Sequence, residues 1–302
     1  MHGWKKMKKF VILIPLYNDW KSVTKLLEEI DEQIINWDAV VTVLIVNDAS
    51  TEESPSFKKH FKKIRQIKIL NMKENRVHQR CIATGLKYIL EKVDFDHVII
   101  MDADGEDRPE ELNGFYKKSI EKPNITITGD RFKRSEGFIF RFLYEVHKII
   151  TLVFAGKLIK FGNFSCLPRD DVNKLIQSPY LWNSYSSSVV KIIKERTSIQ
   201  STRGLRYVQP SKMNFFSLIF HSLSIISVFR NQVVIRSIIF FLFYLFLIFN
   251  NISILSLIPI LFLLFFVLTI LKISMRANKE ELDNSLNNIV SVDVLGNSNS
   301  RQ

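Results

Sequence analysis

Cysteine is nearly absent from this 302-residue chain, which has two, Cys81 and Cys166. They show neither metal-ligand spacing nor a disulfide framework, and read as free thiols of a reducing compartment. Also missing is any Gly-x-Gly-x-x-Gly turn or Walker lysine loop, which sets aside dinucleotide oxidoreductases and P-loop enzymes. There is no internal repeat. The start, lysines followed by Phe10-Val-Ile-Leu-Ile-Pro-Leu16, mimics a signal peptide. Its apolar run is short, contains Pro15 and lacks a small-residue cleavage site, so it reads as a first strand. Acidic groups are in deficit, 30 against 42 Lys and Arg, for a formal net charge of +12. The basic residues recur beside apolar, Phe-rich segments and form no single stripe, which favours an anionic membrane surface over nucleic acid.

Long apolar runs are lacking up to about residue 210 and dominate from 213 to 273. The first part alternates strand and helix. Phe10–Ile14, Val40–Val46, Ile67–Leu70, Val98–Met101 and Ile125–Thr128 read as strands, with helices over Trp20–Gln33, His78–Leu90 and Glu110–Ile120. Such alternation implies an α/β domain with a parallel sheet covered on both faces. Its strand ends would bring Tyr17, Asn18 and Asp19, then Asp48, then Asp102, Asp104 and Glu106 to one edge, where open sheets bind ligands. The last three alternate through Val98-Ile-Ile-Met-Asp-Ala-Asp-Gly-Glu-Asp-Arg-Pro-Glu-Glu-Leu112. Clustered carboxylates repel unless a cation lies between them, and hard oxygen ligands suit Mg²⁺ or Mn²⁺. The plain alternative is an acidic turn before a helix opened by Pro109.

Four segments in order, Ile14-Pro-Leu-Tyr-Asn-Asp19, Val46-Asn-Asp-Ala-Ser50, Asn75-Arg-Val-His-Gln-Arg-Cys-Ile-Ala-Thr-Gly85 and Met101-Asp-Ala-Asp-Gly-Glu-Asp-Arg-Pro-Glu110, resemble family 2 glycosyltransferases. The resemblance extends to the membrane-bound branch that uses polyprenyl or dolichyl phosphate and covers about residues 9 to 275. It implies a Rossmann-like GT-A domain with a mainly parallel sheet. Pro15, Tyr17, Asp19 and Asp48 would hold the nucleoside, and Asp102, Asp104 and Glu106 the metal, Mg²⁺ or Mn²⁺, with the diphosphate. The chain departs from the family where Asn47 replaces Asp, Asp19 replaces Glu, Val77 replaces Gly and Glu106 stands where Gln is frequent. Phe161-Gly-Asn-Phe-Ser-Cys-Leu-Pro-Arg169 resembles a loop near the reacting centre, with Asn163 for Asp. Arg206-Tyr-Val-Gln-Pro-Ser-Lys212 resembles a segment whose arginine meets the donor phosphates. By the same resemblance Arg131 and Arg141 would hold an acceptor phosphate, with Asn163 beside them and Lys212 within reach of phosphate or headgroups.

The organisation expected is a catalytic domain over residues 1–212, an amphipathic interfacial helix at 213–230, a transmembrane hairpin at 231–275 and a polar, mobile tail at 276–302. A second interfacial helix is expected over about 138–156, where Arg141, Glu145, His147 and Lys148 interrupt large apolar groups. The spans run from Val233 to Phe249 and from Ile252 to Ile273, near the roughly 20 residues a bilayer needs. Arg230, Arg236, Lys272, Arg276 and Lys279 flank the hairpin and its turn carries no charge, so both chain ends should face the cytoplasm. The expected partners are a nucleotide diphosphate sugar, a lipid phosphate and the bilayer, with the oligomeric state open. The expected activity is inverting sugar transfer assisted by Asp102, Asp104 and Arg206. A hydroxyl acceptor would instead need a carboxylate base, for which Asp130, Asp170 and Asp171 are candidates. A silent membrane-anchored scaffold is a rival of another class.

Overall fold

The computed structural model describes residues 7–55, 61–133, 145–208 and 215–296. Eight strands form one sheet in the order β7-β5-β6-β4-β1-β2-β3-β8. The strands are β1 Lys8–Leu16, β2 Ala39–Asn47, β3 Ile64–Met72, β4 His97–Ile100, β5 Thr126–Lys133, β6 Ser165–Pro168, β7 Arg196–Thr202 and β8 Ile289–Gly296. β1 pairs in parallel with β2 and β4, β2 with β3, and β5 with β7; β6 and β8 run antiparallel to their neighbours.

Alternation along β1 explains the layering. Phe10, Ile12 and Ile14 face one core with Leu26, Leu27 and Ile30 of α1, Trp20–Gln33. Val11 and Leu13 face the other with Ile82, Leu86 and Ile89 of α2, His78–Lys92. Full burial of each such side chain is worth roughly 1.5–3 kcal/mol. Gly85 of α2 lets that helix lie against the sheet, since a Cβ there would come within 2.4 Å of Leu13. α3, Leu112–Glu121, joins the first core through Leu112 and Phe115. α5, Arg169–Ile176, and α6, Tyr185–Ile192, join the second.

α4 covers residues 145–150 and continues as a π turn over Thr151–Ala155, so the expected helix at 138–156 lies partly outside the described residues. α7, Phe215–Ser227, buries Ile225 and Ile226 and exposes Phe216, Ile219 and Phe220. α8, Arg230–Ile248, and α9, Ile254–Ser274, are long and apolar enough to cross a bilayer; only 11% and 6% of their spans is covered by protein. Arg236 donates to the carbonyls of Leu152 and Val153, which ties α8 to the end of α4.

The C-terminal segment corrects the expectation of a mobile tail. α10, Lys279–Asp283, seats Glu281 against Trp182 Nε1 at 2.7 Å, and Lys87 donates to the carbonyl of Asp283. β8 then closes the sheet edge along β3. Ile289, Val290, Val292, Val294 and Leu295 alternate with polar residues, a strand pattern lodged in a polar stretch. Because β8 belongs to the same sheet as β1, the chain returns to the catalytic domain after the α8–α9 hairpin.

Candidate active site

β4 stops at Ile100, and Met101 still donates to the Leu13 carbonyl before the chain leaves the sheet. The acidic loop turns at Gly105, whose φ of +86° suits glycine. Asp102 is held on three sides. His78 Nε2, at the start of α2, lies 3.1 Å from its Oδ1, and Asn163 Nδ2 lies at the same distance. Asp107 accepts its backbone N–H at 2.9 Å. Burial alone would raise the Asp102 pKa, but His78, Asn163 and Arg131 hold it well below the usual carboxylate range. Burial likewise opposes charge on His78, yet Asp102, with Asp104 and Asp107, raises its pKa overall.

Asp104 and Glu106 face arginines from the segment after β7. Arg206 lies 2.9 Å from Asp104 Oδ2 and 3.7 Å from Glu106 Oε1. Arg203 Nε donates to Glu106 Oε2 at 2.8 Å. The backbones also join: Gly204 N–H donates to the Glu106 carbonyl at 2.8 Å, and Tyr207 N–H to that of Asp104 at 3.0 Å. The expected metal donors Asp102, Asp104 and Glu106 all lie on this loop, each paired with a neighbouring side chain. Among the described residues no group of three His, Cys, Asp or Glu side chains is arranged to hold a metal ion, and Glu106 is engaged by Arg203. The remaining donors still suit a divalent ion. Burial, then Asp102 and Glu106, push the Asp104 pKa up to about 6, and burial and Asp102 push that of Asp107 up to about 8. Both shifts arise first from burial and then from the neighbouring carboxylates.

At the neighbouring strand ends Pro15 is buried in β1, Tyr17 is 47% exposed, and Asp19 sits at the start of α1. Asn18, with φ +48°, ties the two loops by receiving the N–H of Thr51 and donating to Ser50 Oγ. Asp48 is 3% exposed and accepts the N–H groups of Arg76 and Val77 at 2.7 and 2.9 Å. Its first task is to fix the turn into α2, and a nucleobase would share oxygens already engaged.

On the other flank Arg131 approaches Asp107 at 4.0 Å and crosses Gly162. Arg141 and Lys212 lie outside the described residues. The base candidates are not at the site. Asp130, held by Thr128 Oγ1 at 2.8 Å, falls on the face of β5 opposite Arg131. Asp170 and Asp171 open α5 after Pro168, which pairs with His97 at the far edge of the sheet. Sequence reasoning missed His78, Asp107, Arg203 and Tyr207. The first two sat inside recognised segments, but only their packing against Asp102 gives them a role.

A parallel sheet with acids at the ends of its strands is common to many enzymes. The sequence profile of glycosyl transferase family 2 matches residues 11–182. The chain belongs to that family. As a family 2 glycosyltransferase it is an enzyme with an α/β GT-A fold. Solved structures share the fold at low identity. Mannosyl-3-phosphoglycerate synthase from Rubrobacter xylanophilus is 14% identical with a TM-score of 0.54, over 74% of each chain. Glucosyl-3-phosphoglycerate synthase from Mycobacterium tuberculosis, in complex with Mn²⁺, UDP-glucose and phosphoglyceric acid, is 10% identical with a TM-score of 0.51, over 75% of this chain and 80% of that one. A mannosyltransferase from Pyrobaculum calidifontis, in complex with GDP-Man and Mn²⁺, is 16% identical with a TM-score of 0.50, over 93% of this chain and 76% of that one.

Proposed function

We propose that this glycosyltransferase moves a sugar from a nucleotide diphosphate sugar to a polyprenyl phosphate at the cytoplasmic membrane face, with inversion at the anomeric carbon. The observation that carries the reading is the make-up of the acceptor flank. It offers the cationic Arg131 and His78, while Asp130, Asp170 and Asp171 lie elsewhere. A phosphate acceptor is already anionic at neutral pH and needs to be held, whereas a hydroxyl needs a base.

Asp102 and Asp104 would hold Mg²⁺ or Mn²⁺, which supplies charge neutralisation for the departing diphosphate. Neighbours solved with Mn²⁺ and a nucleotide sugar support the choice of metal and donor. Arg206 stands over the same loop and would bind diphosphate oxygens as the bond to the sugar lengthens. Tyr17, Pro15, Asp19 and Asp48 line the strand ends where the nucleoside would sit. The exposed α8–α9 hairpin would anchor the site in a bilayer, and Arg230, Arg236, Lys272, Arg276 and Lys279 at its ends favour the cytoplasmic side.

The test uses membranes containing the chain, a panel of radiolabelled nucleotide sugars and Mn²⁺, followed by organic extraction. Metal-dependent label in the lipid phase that mild acid releases is the expected result. Label retained in water transfers the reading to a hydroxyl acceptor, and no turnover with any donor leaves the scaffold.

A further inference from the structure

We propose that Arg203 is a second donor-diphosphate residue beside Arg206, and that Asp104 and Glu106 hold the two guanidiniums until the donor arrives. The inference rests on the nucleotide-sugar reading above and adds a residue and an exchange that the reading does not contain.

Formal charge argues for it first. Asp102 faces His78, Asp104 faces Arg206 and Glu106 faces Arg203, with Arg131 4.0 Å from Asp107. Pairing of this kind lowers the cost of buried charge on Asp104 and Glu106. A nucleotide diphosphate sugar with about two negative charges, arriving with one divalent ion, adds no net charge. If the ion takes Asp102 and Asp104, Arg206 loses its nearer partner and turns to the diphosphate, which then competes with Glu106 for Arg203. A guanidinium fork fits a carboxylate or a phosphate with the same donors, so the exchange needs no new group.

The backbone argues for it next. Thr202 donates to Glu111 at 2.8 Å, and Gly204 and Tyr207 donate to the acidic loop's carbonyls, so this segment is fixed to the loop independently of its arginines. A Cβ on Gly204 would come within 2.5 Å of the Gly105 carbonyl, and one on Gly105 within 2.6 Å of the Tyr207 ring. Tyr207 is tied to α1 in turn, its hydroxyl donating to Glu29 while Lys25 lies 4.4 Å from its ring centroid. The guanidiniums therefore swing on a fixed base, within reach of whichever anion occupies the loop.

The experiment uses the full chain in detergent. Mn²⁺ binding is followed by electron paramagnetic resonance, and inorganic pyrophosphate serves as the diphosphate probe in calorimetry with Mn²⁺ present. Arg203→Gln should weaken pyrophosphate about tenfold. It should also tighten Mn²⁺ alone, because an uncompensated carboxylate remains. Glu106→Gln should tighten pyrophosphate, since it releases Arg203. A merely structural Arg203 would lower both affinities together, and that result, or unchanged pyrophosphate binding by Arg203→Gln, overturns the proposal while the donor site stands. If the unaltered chain fails to bind pyrophosphate with Mn²⁺, and Asp104→Asn leaves Mn²⁺ affinity unchanged, the donor reading itself falls, and this inference with it.

Discussion

Val77 has a φ of +72° and a ψ of 149°, a conformation that suits glycine and strains a β-branched side chain. Its N–H is gripped by Asp48, which explains how the strain survives. Relief of about 1–3 kcal/mol, less about 0.5–1 for the greater freedom of glycine when unfolded, predicts that Val77→Gly stabilises the protein by roughly 1 kcal/mol. Thermal unfolding in detergent checks this, and a lower midpoint contradicts it. The sequence flagged this position as a departure, but only the backbone angle shows its sign. Asp104 yields a second prediction. Its folded pKa, about 6, lies above the ordinary 3.8, so its contribution to stability is complete below the ordinary value and is lost as pH rises through about 6. Metal requires the ionised form. Stabilisation by added Mn²⁺ should therefore be small at pH 5 and grow toward pH 7, read as the shift in melting temperature; a constant shift across that range would falsify the assignment of Asp104 as a ligand.

At the scale of elements, β1 to β5 and α1 to α3 follow from periodicity, because each buries a regular face. β6 and β7 did not. Ser165–Pro168 is four residues long, and Arg196–Thr202 is mostly polar, so neither carries an apolar alternation strong enough to identify it. β8 has the alternation, yet it lies beyond two long apolar helices, and nothing local shows that it returns to β3. Removing residues 289–302 should bare the β3 edge, where unpaired N–H and C=O groups invite association. Light scattering of the detergent-solubilised truncation should show oligomers or aggregates, and a monodisperse, fully active truncation would contradict a structural role for β8. The short α10 adds its own hold through Glu281, which meets Trp182 and Arg80.

For the whole molecule, the shared sheet constrains the hairpin more firmly than charge does. β7 precedes α8 and β8 follows α9, so a bilayer crossed by the pair must leave both hairpin ends on one side. Cys81 and Cys166 are buried, which leaves an added cysteine as the reactive one. A membrane-impermeant maleimide should label Asn251→Cys, at the hairpin turn, from the side opposite to that which labels Glu280→Cys. Labelling of both from one side of sealed vesicles would rule out the spanning hairpin. The first five strands, the acids at their ends and the apolar hairpin were legible in the sequence, since each depends on residues only a few positions apart. Which cation neutralises which acid was not. Arg203 and Glu106 are 97 residues apart, and Lys87 meets the backbone carbonyl of Asp283 across 196. Such pairs are decided by how the sheet and its return strand pack, because a local pattern fixes an element's form and face while its distant neighbours come from the way elements stack.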